Sequence, residues 1–185
     1  RALLYKEKNI FKAEGEVVIE QGDSIIQYSD YTNYNANTKI AKSWGKVEVT
    51  DDEMKLTTDT LYFDRNQQIL FYPTKGTIKD SKNTLKSNKG TYDLIDKKFS
   101  AKTKVTVTNP DNTLDSDLLD YYTNSKLAFI YGPSTIVNLK DSTKIYAERG
   151  FFNTNTDVSY FVKNTKLYLK ERTIEADSLY YDKPK

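Results

Sequence analysis

Apolar and polar residues alternate along this chain in short runs, as in KVEV at 46–49, KVTVT at 104–108 and KLYLK at 166–170. A period of two places successive side chains on opposite faces of a strand, so these runs predict β-strands with one wet face. Polar turn signals interrupt the runs every ten to fifteen residues, and no segment of a dozen residues keeps the i, i+3, i+4, i+7 spacing of an amphipathic helix. Almost no helix is expected. The turn signals fall into two series, one at EQGD (20–23), TDDE (50–53), DSKN (80–83), NPDN (109–112) and KDS (140–142), the other at NANT (35–38), RNQQ (65–68), TNSK (123–126) and TNT (154–156).

A repeat underlies this pattern. Taking the acidic or amide residue of each copy as anchor gives Asp30, Asp59, Asn88, Asp117, Glu148 and Asp177, separated by 29, 29, 29, 31 and 29 residues. Four positions later stands an aromatic in all six copies: Tyr34, Phe63, Tyr92, Tyr121, Phe152 and Tyr181. One position before the anchor is small, from Ser29, Thr58, Ser87 and Ser116 to Ala147 and Ala176. Three positions before it is aliphatic in five copies, Leu56, Leu85, Leu114, Ile145 and Ile174, with Gln27 breaking the column in the first repeat as an end effect. Two turns per period imply two strands per period, hence roughly twelve long antiparallel strands. Gly15, Gly45, Gly76 and Gly132 sit within the strands that return to the next motif, with Thr103 and Asn164 in the comparable places. Glycine inside a strand marks a bulge or bend, and a long strand bent near its middle can pass from one sheet to another. The fold expected is all-β: an elongated antiparallel jellyroll of about six repeats forming one domain over 1–185, with open ends, as part of an array that can continue beyond the chain. A parallel β-helix is the structural runner-up.

Strict alternation puts the aliphatic column and the small column on one face, since they lie two apart. The aromatic column lies an odd seven residues from the aliphatic one and falls on the opposite face unless the strand bulges between them. The aliphatic column is therefore the expected interior, with Phe63, Tyr92, Tyr121 and Phe152 as wall residues. Trp44, beside Gly45, is expected to pack over the bend.

Composition narrows the chemistry. The chain has neither cysteine nor histidine, which removes disulfides, thiolate metal sites, most zinc sites and the Ser-His-Asp and Cys-His nucleophilic systems. Neither a cofactor nor a metal is expected. Asp59 with Asp64, or Asp177 with Asp182, has the look of a glycosidase carboxylate pair, but such acids recur in several periods whereas an active site is needed once. Turn and strand-end roles explain them, so no catalytic residue is assigned. Asp51 and Asp52 read as a solvated turn. With 28 basic and 26 acidic residues and no long run of one sign, there is no nucleic-acid footprint. Lys39, Lys97, Lys126 and Lys166 flank turns or strands and suit edge protection. No run approaches the ~20 apolar residues of a membrane-spanning helix, and RALLYKEKNIF lacks the apolar segment of an export signal.

The segments AEGEVVIE (13–20), SWGKVEVTDDEMKLTTDTLYFD (43–64) and IEADSLYYD (174–182) carry a family resemblance. The chain resembles the OstA-like superfamily, the LptA-like and LptD-periplasmic-domain-like lipopolysaccharide-transport proteins. The resemblance implies a V-shaped jellyroll in the periplasm that shields lipid acyl chains between its two sheets and forms part of a bridge toward the outer membrane. With the interior expected from alternation, lipid contact falls to Leu56, Leu85, Leu114, Ile145 and Ile174, with Phe63, Tyr92, Tyr121 and Phe152 as wall residues. The partners that the resemblance implies are lipopolysaccharide and other OstA-like proteins, or a second copy joined end to end by strand addition. The departures are the longer fourth spacing, the missing glycines at Thr103 and Asn164, and the polar stretch 74–90. An extracellular structural or carbohydrate-binding repeat protein is the alternative, its aromatics serving as a sugar-stacking ladder.

Overall fold

The computed structural model describes residues 1–22, 25–51, 54–156 and 158–182. Its strands are β1 (Ala2–Tyr5), β2 (Ile10–Gln21), β3 (Ile25–Asn35), β4 (Ile40–Thr50), β5 (Lys55–Asp64), β6 (Ile69–Tyr72), β7 (Gly76–Lys79) and β8 (Thr84–Ser87). Next come β9 (Lys89–Asp93), β10 (Lys98–Thr108), β11 (Asn112–Tyr122), β12 (Leu127–Asn138), β13 (Lys144–Asn153), β14 (Ser159–Tyr168) and β15 (Thr173–Tyr181). A single 3₁₀ turn, Lys6–Lys8, is the one helical element among the described residues. All pairings are antiparallel, and the long strands pair with their sequence neighbours. Since β6 with β7 and β8 with β9 are two long strands interrupted once each, twelve long strands follow the short β1. This is the antiparallel jellyroll expected from two strands per period; the parallel β-helix is excluded.

Each long strand bends at its middle. Register shifts fall between Glu14 and Val17, Trp44 and Val47, Lys102 and Val105, Tyr131 and Ser134, and Val162 and Thr165. Extra residues in one strand bend it and raise its local twist. Left-handed backbone marks these places: Gly15 and Glu16, Gly45 and Lys46, Thr103 and Lys104, Gly132, and Lys163 with Asn164. The bulge therefore persists where glycine is missing. Gly76 departs from the expectation that it makes a bend. The interruption there is made by residues 73–75, and Gly76 lacks a side chain because the Tyr72 ring lies against it. Trp44 stacks on Tyr31 across the bulge, ring centroids 5.4 Å apart.

The bends divide one continuous sheet into two halves, called sheet I and sheet II. Sheet I holds the half-strands that meet at the turns preceding each motif, and sheet II those that meet at the turns following it. Asx turns make both sets of hairpins. In sheet I, Asp80 accepts the N–H groups of Lys82 and Asn83, and Asn109 those of Asp111 and Asn112. In sheet II, Asn35, Asp64, Asp93 and Asn153 each accept two N–H groups in the same way. Asp93 serves a turn at 94–97, whose sequence LIDK carries none of the usual turn residues at its start and was not among those expected. Lys39, Gln68, Lys97 and Lys126 close these turns in the left-handed conformation. Their carbonyls accept the N–H of Arg65, Leu94, Thr123 and Thr154 from the next turn along, a ladder that ties hairpin to hairpin. Of the expected turn residues, Asp23, Asp52 and Glu53 lie outside the described residues.

Candidate functional site

The repeat columns resolve into cross-strand rows. In sheet I one row runs Ile19, Gln27, Val49, Leu56, Ile78, Leu85, Val107, Leu114, Ile136, Ile145, Leu167, Ile174, each residue opposite the next. The aliphatic column supplies alternate rungs, and the return strands supply the rest. Gln27 keeps its place in this row although it breaks the aliphatic column in the first repeat. It is buried, and its amide donates to Ser43 Oγ at 2.6 Å, which satisfies it inside the molecule.

In sheet II the corresponding row runs Phe11, Tyr34, Ala41, Phe63, Leu70, Tyr92, Phe99, Tyr121, Ala128, Phe152, Ser159, Tyr181. Both rows face inward, because the bulge falls between them and changes the parity. In β11, Leu114, Ser116 and Leu119 are buried and Tyr121 partly so, whereas Asp117 and Leu118 are stepped over at the bend. The aromatic column is thereby turned inside, not opposite. The small column has its own reason. Ser116 Oγ donates to the carbonyl of Leu118 at 3.2 Å and Ser87 Oγ to that of Lys89 at 2.9 Å, each bond bracing the chain where it bends. Ala147 and Ala176 leave that role unfilled in the last two copies.

Between the sheets, from β7 to β15, lies a cavity of about 300 Å³. Sheet I contributes Ile78, Leu85, Val107, Leu114, Ile136, Ile145 and Leu167; sheet II contributes Phe99, Tyr121, Ala128, Phe152, Ser159 and Tyr181, with Leu119, Phe161 and Leu179 between them. Seven consecutive strands of sheet I line it, so six spacings of ~4.8 Å give a length of roughly 29 Å. The floor is apolar. The rim is polar and built from turns, with Asp80, Asn83, Asn109, Asn112, Asn138, Asp141 and Thr143 on one side and Thr154 on the other. The Thr143 N–H and hydroxyl hold the Asp141 carboxyl below its usual value.

Two hydrogen bonds tie the lips of the sheets together. Tyr92 Oη donates to Asp51 Oδ2 and Tyr121 Oη to Asp80 Oδ2, both at 3.4 Å and both between residues 41 apart in sequence. Burial is the main cause that raises the Tyr121 hydroxyl above its usual pKa. At the next copy Phe152 has no hydroxyl to make such a tie.

Of the residues singled out in sequence, Leu85, Leu114, Ile145, Tyr121 and Phe152 line the cavity. Leu56, Phe63 and Tyr92 sit in the same rows but in the closed, packed part of the core. Ile174 ends the sheet I row on β15 and is 48% exposed. Val107, Ile136 and Leu167 were missed, although their signal was the alternation of the return strands. Asp59 lies on the outward bend and accepts from Thr60 Oγ1, while Asp64 holds a turn. Lys166 pairs with Glu175 at 2.8 Å on the outer face. Among the described residues no cluster of acids could hold a metal, and no helix is long and apolar enough to cross a membrane.

A family model described as OstA-like protein matches residues 1–117. The cross-strand rows continue unbroken past that point to β15. Among solved structures, the chain is similar to the crystal structure of LptH from Pseudomonas aeruginosa, described as the LptA homologous periplasmic component of the conserved lipopolysaccharide transport device. The identity is 12%, the match covers 79% of this chain and 94% of that one, and the TM-score is 0.36. No curated protein matches the chain.

Proposed function

The chain belongs to the OstA-like protein family, and we propose that it is a periplasmic lipopolysaccharide-binding and transport module that shields acyl chains between its two sheets. One observation carries this reading: an elongated apolar cavity, lined by rows from both sheets and rimmed by polar turns. A polar rim over an apolar floor suits an amphiphile whose tail is buried and whose head stays at the lip.

Magnitudes favour the tail as the source of affinity. Burying about twelve methylenes is worth on the order of 10 kcal/mol at ~0.8 each. An exposed lysine–phosphate contact contributes about 0 to 1 kcal/mol. Leu114→Asp, in a variant shown to remain folded, is therefore expected to abolish lipid loading, whereas Lys126→Ala should leave it unchanged. Mass spectrometry of lipid co-purified from a cell with an outer membrane is the measurement. Equal loading of wild type and Leu114→Asp would remove the cavity from the mechanism.

Bridging toward the outer membrane calls for end-to-end contact. Among the described residues, β15 is paired on one side only, and a free strand edge accepts another strand through its backbone groups. A second copy or another OstA-like protein would add there. Concentration-dependent association in analytical ultracentrifugation is expected; a strict monomer to millimolar concentration would argue against it. The carbohydrate-binding alternative would use the outward rings of Phe129, Phe151 and Tyr160. These stand at 48° and 45° to one another and offer no shared stacking plane. Glycan binding without lipid binding would favour it nonetheless.

A further inference from the structure

The sheet II row contains a break in its own pattern. Its aromatic rungs are separated by small residues at Ala41, Ala128 and Ser159, but by Leu70 and Phe99 in the middle of the chain. The bulky run Phe63, Leu70, Tyr92, Phe99, Tyr121 fills the interior where small rungs would leave it open. Phe99 is 1% exposed and stacks on Tyr92 with ring centroids 4.0 Å apart and planes 8° from parallel. Behind it Tyr72 lies over Gly76 and Gly90, its hydroxyl 2.7 Å from Ser87 Oγ. Phe99 lines the cavity, and Tyr92 and Tyr72 do not.

We propose that Phe99, backed by Tyr92 and Tyr72, is the blind end of the cavity and sets the longest hydrocarbon chain that the protein accepts. This rests on the acyl-binding reading above and adds to it that this cavity, entered between the lips beyond Tyr121, is closed at Phe99. The tie from Tyr121 to Asp80 holds the rung next to Phe99 in place. A chain that reaches the Phe99 ring has no further apolar surface to gain. Selectivity for length then follows from a fixed wall rather than from the head group.

The test uses the purified full chain and a series of straight saturated fatty acids from about ten to about twenty carbons. Each added methylene that is buried should tighten binding about fourfold, and binding should stop improving once the chain meets the wall. Phe99→Ala places at this rung the residue that Ala41 and Ala128 already place at equivalent ones. It is expected to move the plateau to longer chains, with two further buried methylenes giving about sixteenfold tighter binding of the longest acids. Ala128→Phe, one small rung further along, should move the plateau to shorter chains and gives an independent reading if Phe99→Ala does not fold. Phe151→Ala, on the outer face, should leave the profile as in wild type. An identical plateau in wild type, Phe99→Ala and Ala128→Phe would overturn the stop while leaving the acyl-binding reading intact. No binding of any acid by wild type would overturn both.

Discussion

Gly90 has no side chain because Tyr72 occupies the space: a Cβ there would collide with the Tyr72 hydroxyl. Gly15 differs, since its neighbourhood is open but its φ is +81°. Gly90→Ala should cost about 1 to 3 kcal/mol through overpacking, and Gly15→Ala about 1 to 2 kcal/mol through backbone strain. The two causes separate in a Tyr72→Ala background, where the penalty at Gly90 should largely vanish and that at Gly15 should persist; equal penalties in both backgrounds, by urea denaturation, would refute the steric account. Tyr72 also links stability to alkali. Burial raises its pKa, and the hydrogen bond to Ser87 opposes this only in part. A raised folded-state pKa favours the neutral phenol, so its stabilisation is complete below the unfolded value of about 10 and is lost as pH rises toward the folded one. Tyr121 acts in the same sense, with burial again the largest cause. Stability should therefore fall above about pH 10, and Tyr72→Phe should make that fall shallower.

The bent strand is the element that makes the interior, and its bend does not depend on glycine. Thr103 and Lys104 take the left-handed conformation in β10, and the Thr103 carbonyl accepts the Asn88 N–H at 3.0 Å. A β-branched residue at positive φ is strained, so Thr103→Gly should remove about 1 to 2 kcal/mol of strain against ~0.5 to 1 kcal/mol of added chain entropy. A net gain of up to about 1.5 kcal/mol is expected in chemical denaturation; a loss would mean that the threonine side chain supports the bulge. The bend itself was legible in sequence, because six copies of one motif expose both its turns and its glycine positions. The inward turn of the aromatic column was legible only as a condition, since whether seven residues count as odd depends on a bulge whose size no residue type encodes. The site was half legible. Leu85, Leu114 and Ile145 stand in a column of like residues, whereas Val107, Ile136 and Leu167 occupy return strands with no motif to align them. Ile174 stands on β15, which among the described residues is paired on one side only, and the enclosure of Leu56, Phe63 and Tyr92 follows from Leu70 and Phe99, two rungs that the motif columns do not contain.

At the scale of the molecule the middle of the sheet and its C-terminal strands differ in how their interiors are filled. From β4 to β10 the inward residues pack on one another, with Val47, Val49, Leu56, Leu61, Tyr72, Tyr92, Phe99 and Val105 each 1% exposed. Toward the C-terminal strands the same rows line a cavity, and every residue of β15 except Leu179 is exposed. Local stability follows apolar contact, so backbone amides of β4 to β10 should exchange hydrogen most slowly and those of β13 to β15 most quickly. An acyl chain in the cavity would supply to β11 through β14 the packing that Leu70, Tyr92 and Phe99 supply to the middle. A ligand that binds only the folded state at about a hundred times its dissociation constant adds ~2.7 kcal/mol. That gain should appear as slowed exchange in β10 through β14, with little change in β2 to β5, when hydrogen exchange is followed with and without a saturating long-chain fatty acid. Protection that rises uniformly along the chain, or chiefly in β2 to β5, would place the ligand elsewhere than the cavity and would remove the reason for the wall at Phe99.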